Sequence, residues 1–187
     1  MKLIVAFLIV FLFSGNTTFS QDDAMKAWME YMTPGKVHEN LAKGVGEWKS
    51  IIKFWMAPGT EPQISEGSAV SEMILGGRYL QSKHSGSSFG MPLEGISIEG
   101  FDNAKGTFFS TWIDNMGTGI MYLEGKYDDK TKTCLYEGTV FDPMTKKNTG
   151  VREIVKYLSD DHQIMEMYML EPDGEFKSME IEFTRKK

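Results

Sequence analysis

The chain has 187 residues, enough for one ordinary domain and cramped for two. Twenty basic against 26 acidic residues leave a net charge of -6, which argues against a general nucleic-acid binder, since that role needs a basic face to displace phosphate counterions. Hydrophobic residues at 41% and charged residues at 25% are those of a globular chain, and a single cysteine, Cys134, excludes an internal disulfide framework and any multi-cysteine metal site.

Residues 1–20 read as an address. Lys2 is followed by an unbroken apolar run, Leu3 to Phe13, and then by polar residues ending in Thr18-Phe19-Ser20. Eleven residues rise only about 16 Å as a helix, short of a bilayer core of roughly 30 Å, and small residues at Thr18 and Ser20 suit cleavage after Ser20. The expectation is a signal peptide and a periplasmic or secreted protein, with no stable membrane insertion of the mature chain; an uncleaved anchor is the alternative. No cysteine stands at the cleavage point to carry a lipid.

Asp22 and Asp23 predict a helix cap, with Met25, Trp28, Met29 and Met32 at helical spacing over Ala24–Met32. Thr33-Pro34-Gly35 ends it. A second short helix is expected over Lys36–Lys43, stopped by Gly44. From Glu47 the period changes to that of strands. They are expected near Glu47–Met56, Ile64–Ile74, Arg78–Ser85, Glu94–Phe101, Thr107–Asp114, Thr118–Tyr127, Thr133–Phe141, Thr149–Leu158, Gln163–Leu170 and Phe176–Arg185. Clusters such as Gly76-Gly77, Asp102–Gly106, Asp128–Lys130, Asp142-Pro143 and Pro172–Gly174 separate them with turn chemistry.

No helix pattern alternates with these strands, so parallel β-α-β units are not expected. About ten antiparallel strands in one domain resolve their edges by closing into a barrel or folding into a sandwich. The predicted fold is all-β, an antiparallel up-and-down β-barrel of about ten strands, with two short N-terminal helices covering one end. Its expected divisions are a signal peptide over 1–20, a helical segment over 21–45 and the barrel over 46–187. A barrel of this width has an interior that side chains need not fill, which is the physical basis for expecting a ligand cavity.

Gly46-Glu47-Trp48 opens the first strand, and Arg185 ends the last in Phe183-Thr184-Arg185. A Gly-x-Trp at the first strand with a late arginine stacked on the tryptophan resembles the closure signature of the calycin superfamily, the lipocalin-like barrels. Glu72–Arg78, Ser110–Gly119 and Met165–Met169 look like an uncharacterised bacterial family, domain-of-unknown-function family fifteen seventy-nine, over about Thr33 to Lys187. The resemblance implies a lipocalin-like barrel and brings no agreed activity, cofactor or catalytic residue. The chain lacks the helix pair of fatty-acid-binding proteins between its first two strands and the Thr-Asp-Tyr motif of lipocalins, so neither ligand class carries over.

Several groups carry chemistry on paper. Gly86–Gly90 matches a G-x-S-x-G nucleophile elbow around Ser88, but that motif requires a strand-to-helix turn, and Met91-Pro92 leads into another strand; the expectation is a loop at the barrel mouth. Gly117-Thr118-Gly119 reads as a hairpin turn. His38, His84 and His162 share no metal-ligand spacing; the resemblance to calycins, some of which bind haem through a single histidine, makes His84 the one to watch if it turns inward, an ordinary histidine being the plainer reading. Met165, Met167 and Met169 share a strand face, which suits Cu(I) or, far more simply, an adaptable apolar wall. Arg78 or Arg152, if inward and paired with a carboxylate, would hold an acidic ligand; the plainer reading is an outer salt bridge. Most strand glutamates, among them Glu72, Glu99, Glu124, Glu137, Glu153, Glu166 and Glu180, are expected to face solvent.

The function expected is binding of a small, largely apolar or amphipathic molecule in the barrel interior. The alternatives are a small-molecule enzyme using an inward arginine–carboxylate pair and a ligand-free structural envelope protein. The cavity candidates are Trp112, Met165, Met167, Met169, Met179, Ile181 and Phe183, with Arg78 and Arg152; Trp48 and Arg185 are the closure pair. No catalytic residue, metal, cofactor or nucleic-acid partner is assigned.

Overall fold

Ten strands, each joined to the next by a short turn, close on themselves in a computed structural model that describes residues 20–187. The expected leader lies outside the described residues, Ser20 excepted. The strands are β1 (Gly46–Phe54), β2 (Gln63–Ile74), β3 (Tyr79–Ser88), β4 (Met91–Asp102), β5 (Thr107–Asp114), β6 (Met121–Asp128), β7 (Thr133–Asp142), β8 (Lys147–Ser159), β9 (His162–Glu171) and β10 (Gly174–Arg185). Every neighbour pair is antiparallel and sequential, and β1 closes the ring by pairing with β10, Trp48 opposite Arg185 and Phe54 opposite Met179. The closed antiparallel barrel is the fold observed, as the hairpin rhythm and the lipocalin-like resemblance together lead one to expect.

The turn clusters work as their chemistry predicts. Asp102 Oδ1 accepts from the amides of Ala104 and Lys105, and Asp142 Oδ1 from that of Met144, so a carboxylate closes each turn locally. Asp114 Oδ1 does the same for Met116 and Gly117, which delays β6 to Met121, three residues after its expected start. Gly86–Ser88 is strand, not loop. Only Phe89-Gly90 turn there, in a two-residue hairpin with Phe89 at a φ of 52°.

Helix α1 (Gln21–Met32) begins earlier than expected because Ser20 is its cap, its hydroxyl accepting from the Asp23 amide at 3.1 Å. None of its residues is buried. Its last carbonyls are instead tied to the barrel: Asn103 Nδ2 donates to those of Glu30, Tyr31 and Thr33, and Arg78 Nη2 to that of Met32. Helix α2 (Lys36–Leu41) and a 3-10 turn (Ala42–Gly44) lie over the same end of the barrel, burying His38 and Leu41. There Trp48, 4% exposed, donates from Nε1 to the Gly44 carbonyl at 2.9 Å. This end is closed. A packed cluster of Leu123, Cys134, Tyr136, Val151 and Val155 fills one side of the interior. Among the described residues no helix is long and apolar enough to cross a membrane.

Candidate functional site

Strand registers fix which side chains face the lumen. Opposite Trp48 on β2 stands Ala69, then His84 on β3, Gly95 on β4 and Asp114 on β5; one row along, Ser82 pairs with Ser97 and Ser97 with Trp112. Since strand side chains alternate, Trp112, Ser110, Glu99 and Ser97 turn inward with His84, and Glu153 turns inward with Val151 and Val155. These groups surround a cavity of about 580 Å³. Phe54, Gln63, Phe89, Leu93 and Met116 ring its mouth, at the end opposite Trp48 and α2.

The wall has two characters. Ile52 on β1, Met165 and Met167 on β9, and Met179, Ile181 and Phe183 on β10 make an apolar side. His84, Ser97, Glu99, Ser110, Trp112 and Asp114 on β3 to β5, with Glu153 on β8, make a side carrying polar atoms. Trp112 reaches across the sheet because Gly95 has no side chain: a Cβ there would stand 2.4 Å from the indole ring. Its Nε1 donates to Asp114 Oδ2 at 2.5 Å, and its ring meets that of His84 edge-on at 5.1 Å.

His84 Nε2 shares a hydrogen bond with Ser97 Oγ at 3.2 Å, and burial pushes its pKa down to about 4, so the ring is neutral at ordinary pH. Glu153 is 7% exposed, and Glu99 keeps more surface, which its register turns to the lumen. Neither carboxyl has a hydrogen-bond partner among the described residues. Desolvation holds Glu99 up to about 7 and Glu153 up to about 8, with the charge of Glu99 adding to the second. Among the described residues, no lysine or arginine lines the cavity.

Of the residues expected in the cavity, Trp112, Met165, Met167, Met179, Ile181 and Phe183 line it. Met169 does not: it shares their strand face but stands opposite Val151 and packs against the core cluster. Arg78 is also outside, in the β2–β3 turn, donating to the carbonyls of Leu75 and Met32. Arg152 faces outward, bound to Glu175 Oε1 at 2.5 Å with its guanidinium 5.1 Å from the Tyr168 ring centre. Register puts Arg152 on the outer face of β8, where Glu175 supplies its charge partner, and Arg78 precedes the first residue of β3. The pair Trp48 and Arg185 does meet, at 4.2 Å from guanidinium carbon to ring centre.

The other candidates resolve simply. Ser88 has no hydrogen bond to a histidine among the described residues, and no group of three or more His, Cys, Asp and Glu side chains there is arranged to hold a metal ion. His38 is a buried residue of α2, its Nδ1 accepting from the Gly35 amide, and His162 lies by Glu182 at 2.7 Å. Glu166 and Glu180 face outward in a ladder with Lys156, Lys177 and Lys53. Glu99 and Glu153, expected outside, face in. Glu153 had a readable signal: it occupies the middle of Val151-x-Glu153-x-Val155, whose two valines mark an inward face.

Residues 33–185 match the family described as Protein of unknown function (DUF1579). No curated protein matches the chain. Among solved structures, the S-type phycobiliprotein lyase CPES from Guillardia theta is similar at a TM-score of 0.55 with 11% identity, over 86% of this chain and 97% of that one. At that identity the likeness is one of fold.

Proposed function

The chain belongs to the family described as Protein of unknown function (DUF1579), a description that assigns no chemistry, and from the cavity we propose that it is an exported barrel that binds a small, largely apolar or amphipathic molecule in its lumen. One observation carries this reading: the interior beside the core cluster is not filled, but opens at one end into a space of about 580 Å³ with a continuous apolar side. That volume is in the range of small-molecule sites, and covering Met165, Met167, Met179, Ile181 and Phe183 with a ligand contributes roughly 25 cal/mol per Å² of apolar surface removed from water. A protein acting only through its outer surface gains nothing from leaving that space open. Export rests on the sequence of residues 1–20, with cleavage after Ser20 and the helical segment 21–45 and barrel 46–187 as the mature parts.

The test is native mass spectrometry of protein recovered from the extracytoplasmic fraction. The expected spectrum shows a chain beginning at Gln21 with a small molecule retained at low activation energy. Apo protein that also fails to take up hydrophobic dyes, read by the dyes' own emission, overturns the binding reading; a chain that retains residues 1–20 overturns the processing.

A further inference from the structure

The cavity has a chemical asymmetry that a purely apolar ligand does not use. Glu99 on β4 and Glu153 on β8 come from opposite sides of the ring of strands and both reach the lumen. A buried carboxyl without a hydrogen-bond partner is costly, and two sharing one space more so, because each charge opposes the other. The packing offers no relief. The titratable groups that share the space or pack behind it are Asp114 on β5, His84 on β3, Cys134 and Tyr136 on β7 and Tyr157 on β8, none of which is a cation at neutral pH. The nearest inward cation in the register, Arg185, is spent at the closed end on Trp48 and Asp161.

Resting on the binding reading above, we infer that the preferred ligand is a hydrophobic amine, its hydrocarbon part against the β9–β10 wall and its protonated nitrogen between Glu99 and Glu153. A carboxylate or phosphate headgroup would meet two carboxyls and no cation. An alcohol supplies a single donor. An ammonium supplies three donors and the missing positive charge, and bonds between charged partners are stronger than neutral ones. In the empty protein desolvation holds Glu153 up to about 8, so it keeps its proton near neutral pH, while Glu99, held up to about 7, is shared between its two forms. Binding the cation ionises one of the two carboxyls, and the proton that this carboxyl held passes to solvent.

The experiment compares decylamine, decanol and decanoate on the mature protein at pH 7, by calorimetry in two buffers of different ionisation enthalpy. Decylamine is expected to bind about tenfold or more tightly than decanol, with decanoate weakest, as charge-assisted hydrogen bonds would give. Its enthalpy should depend on the buffer, reporting a released proton, and that of decanol should not. Glu99→Gln and Glu153→Gln should each erase the preference for the amine, with a cooperative melting transition showing that the variants fold. If decanol or decanoate equals decylamine, or the glutamine variants keep the preference, the amine is the wrong ligand class and the apolar cavity stands. If none of the three binds, both readings fall. Should a variant fail to fold, the three-ligand order on the unmodified protein decides alone.

Discussion

The Arg185 guanidinium lies 4.2 Å from the centre of the Trp48 ring while its nitrogens donate to Asp161 Oδ1 and to the carbonyls of Lys43, Val45 and Asp160. One side chain thus joins the start of β1, the end of β10 and the β8–β9 turn, and the tryptophan beneath it seals the floor. Gly46 makes room: its φ is 137°, and a Cβ there would stand 2.7 Å from Arg185 Nη1. Trp48→Ala should cost about 3–5 kcal/mol, a clear fall in Tm on thermal melting. Arg185→Lys should fall between, keeping the charge and losing the fork of donors. Unchanged melting in both would mean that the seam does not depend on this contact.

Gly95→Val sets a side chain against Trp112. Overpacking of this kind costs about 1–3 kcal/mol when the neighbour must move. The indole has the lumen to move into, so the expected result is a folded barrel with a changed Trp near-UV signal and a partly filled cavity. Decanol affinity should drop by about tenfold, some 1.4 kcal/mol. Retained affinity would show that Trp112 is not part of the binding wall.

The buried carboxyls give stability a sign with pH. Glu99 and Glu153 hold their protons more tightly folded than unfolded, so their contribution is complete below the ordinary carboxylate value and is lost as pH rises through about 7 and about 8. The slope is at most about 1.4 kcal/mol per pH unit for each. His84 runs the other way, its contribution present above 6.5 and lost as pH falls through about 4. Urea midpoints at pH 5, 6.5 and 8.5 should therefore decline on the alkaline side, and Glu99→Gln with Glu153→Gln should flatten that decline. An identical profile in the double variant would place both carboxyls in water.

Helix α1 depends on the barrel through its last turn. Asn103→Ala removes the three contacts to the carbonyls of Glu30, Tyr31 and Thr33. Amide exchange should then speed up across Gln21–Met32 and stay unchanged in β1–β10. Equal protection in the variant would mean that the helix is held by something other than these bonds.

The barrel was readable because its punctuation is chemical. Asp102, Asp128 and Asp142 each sit where a carboxylate closes a turn, and the strands between them had to pair with their sequence neighbours. The apolar wall was readable because Met179, Ile181 and Phe183 alternate with charged or polar residues. The polar wall was hidden because β4 inverts the rule: Ser97 and Glu99 turn inward while Ile96 and Ile98 turn out. Period alone cannot tell which face of such a strand is wet. Arg78 failed because the chain is still turning there and β3 starts only at Tyr79, and Arg152 because it sits on the face of β8 opposite to the one that Val151 and Val155 mark as inward.

Among the described strands, β1 with β10 is the one pairing that is not between chain neighbours. Nine hairpins can assemble locally, each over a short stretch of chain, before that last edge has anything to meet. The entropy of looping back from Arg185 to Gly46 is then spent in a single late step. The two edges it unites also bring the start and finish of the barrel side by side. Linking those ends and cutting the chain at the Met144–Thr145 tip should give a permuted protein with the same ring, its slowest folding event moved to a different pair of strands.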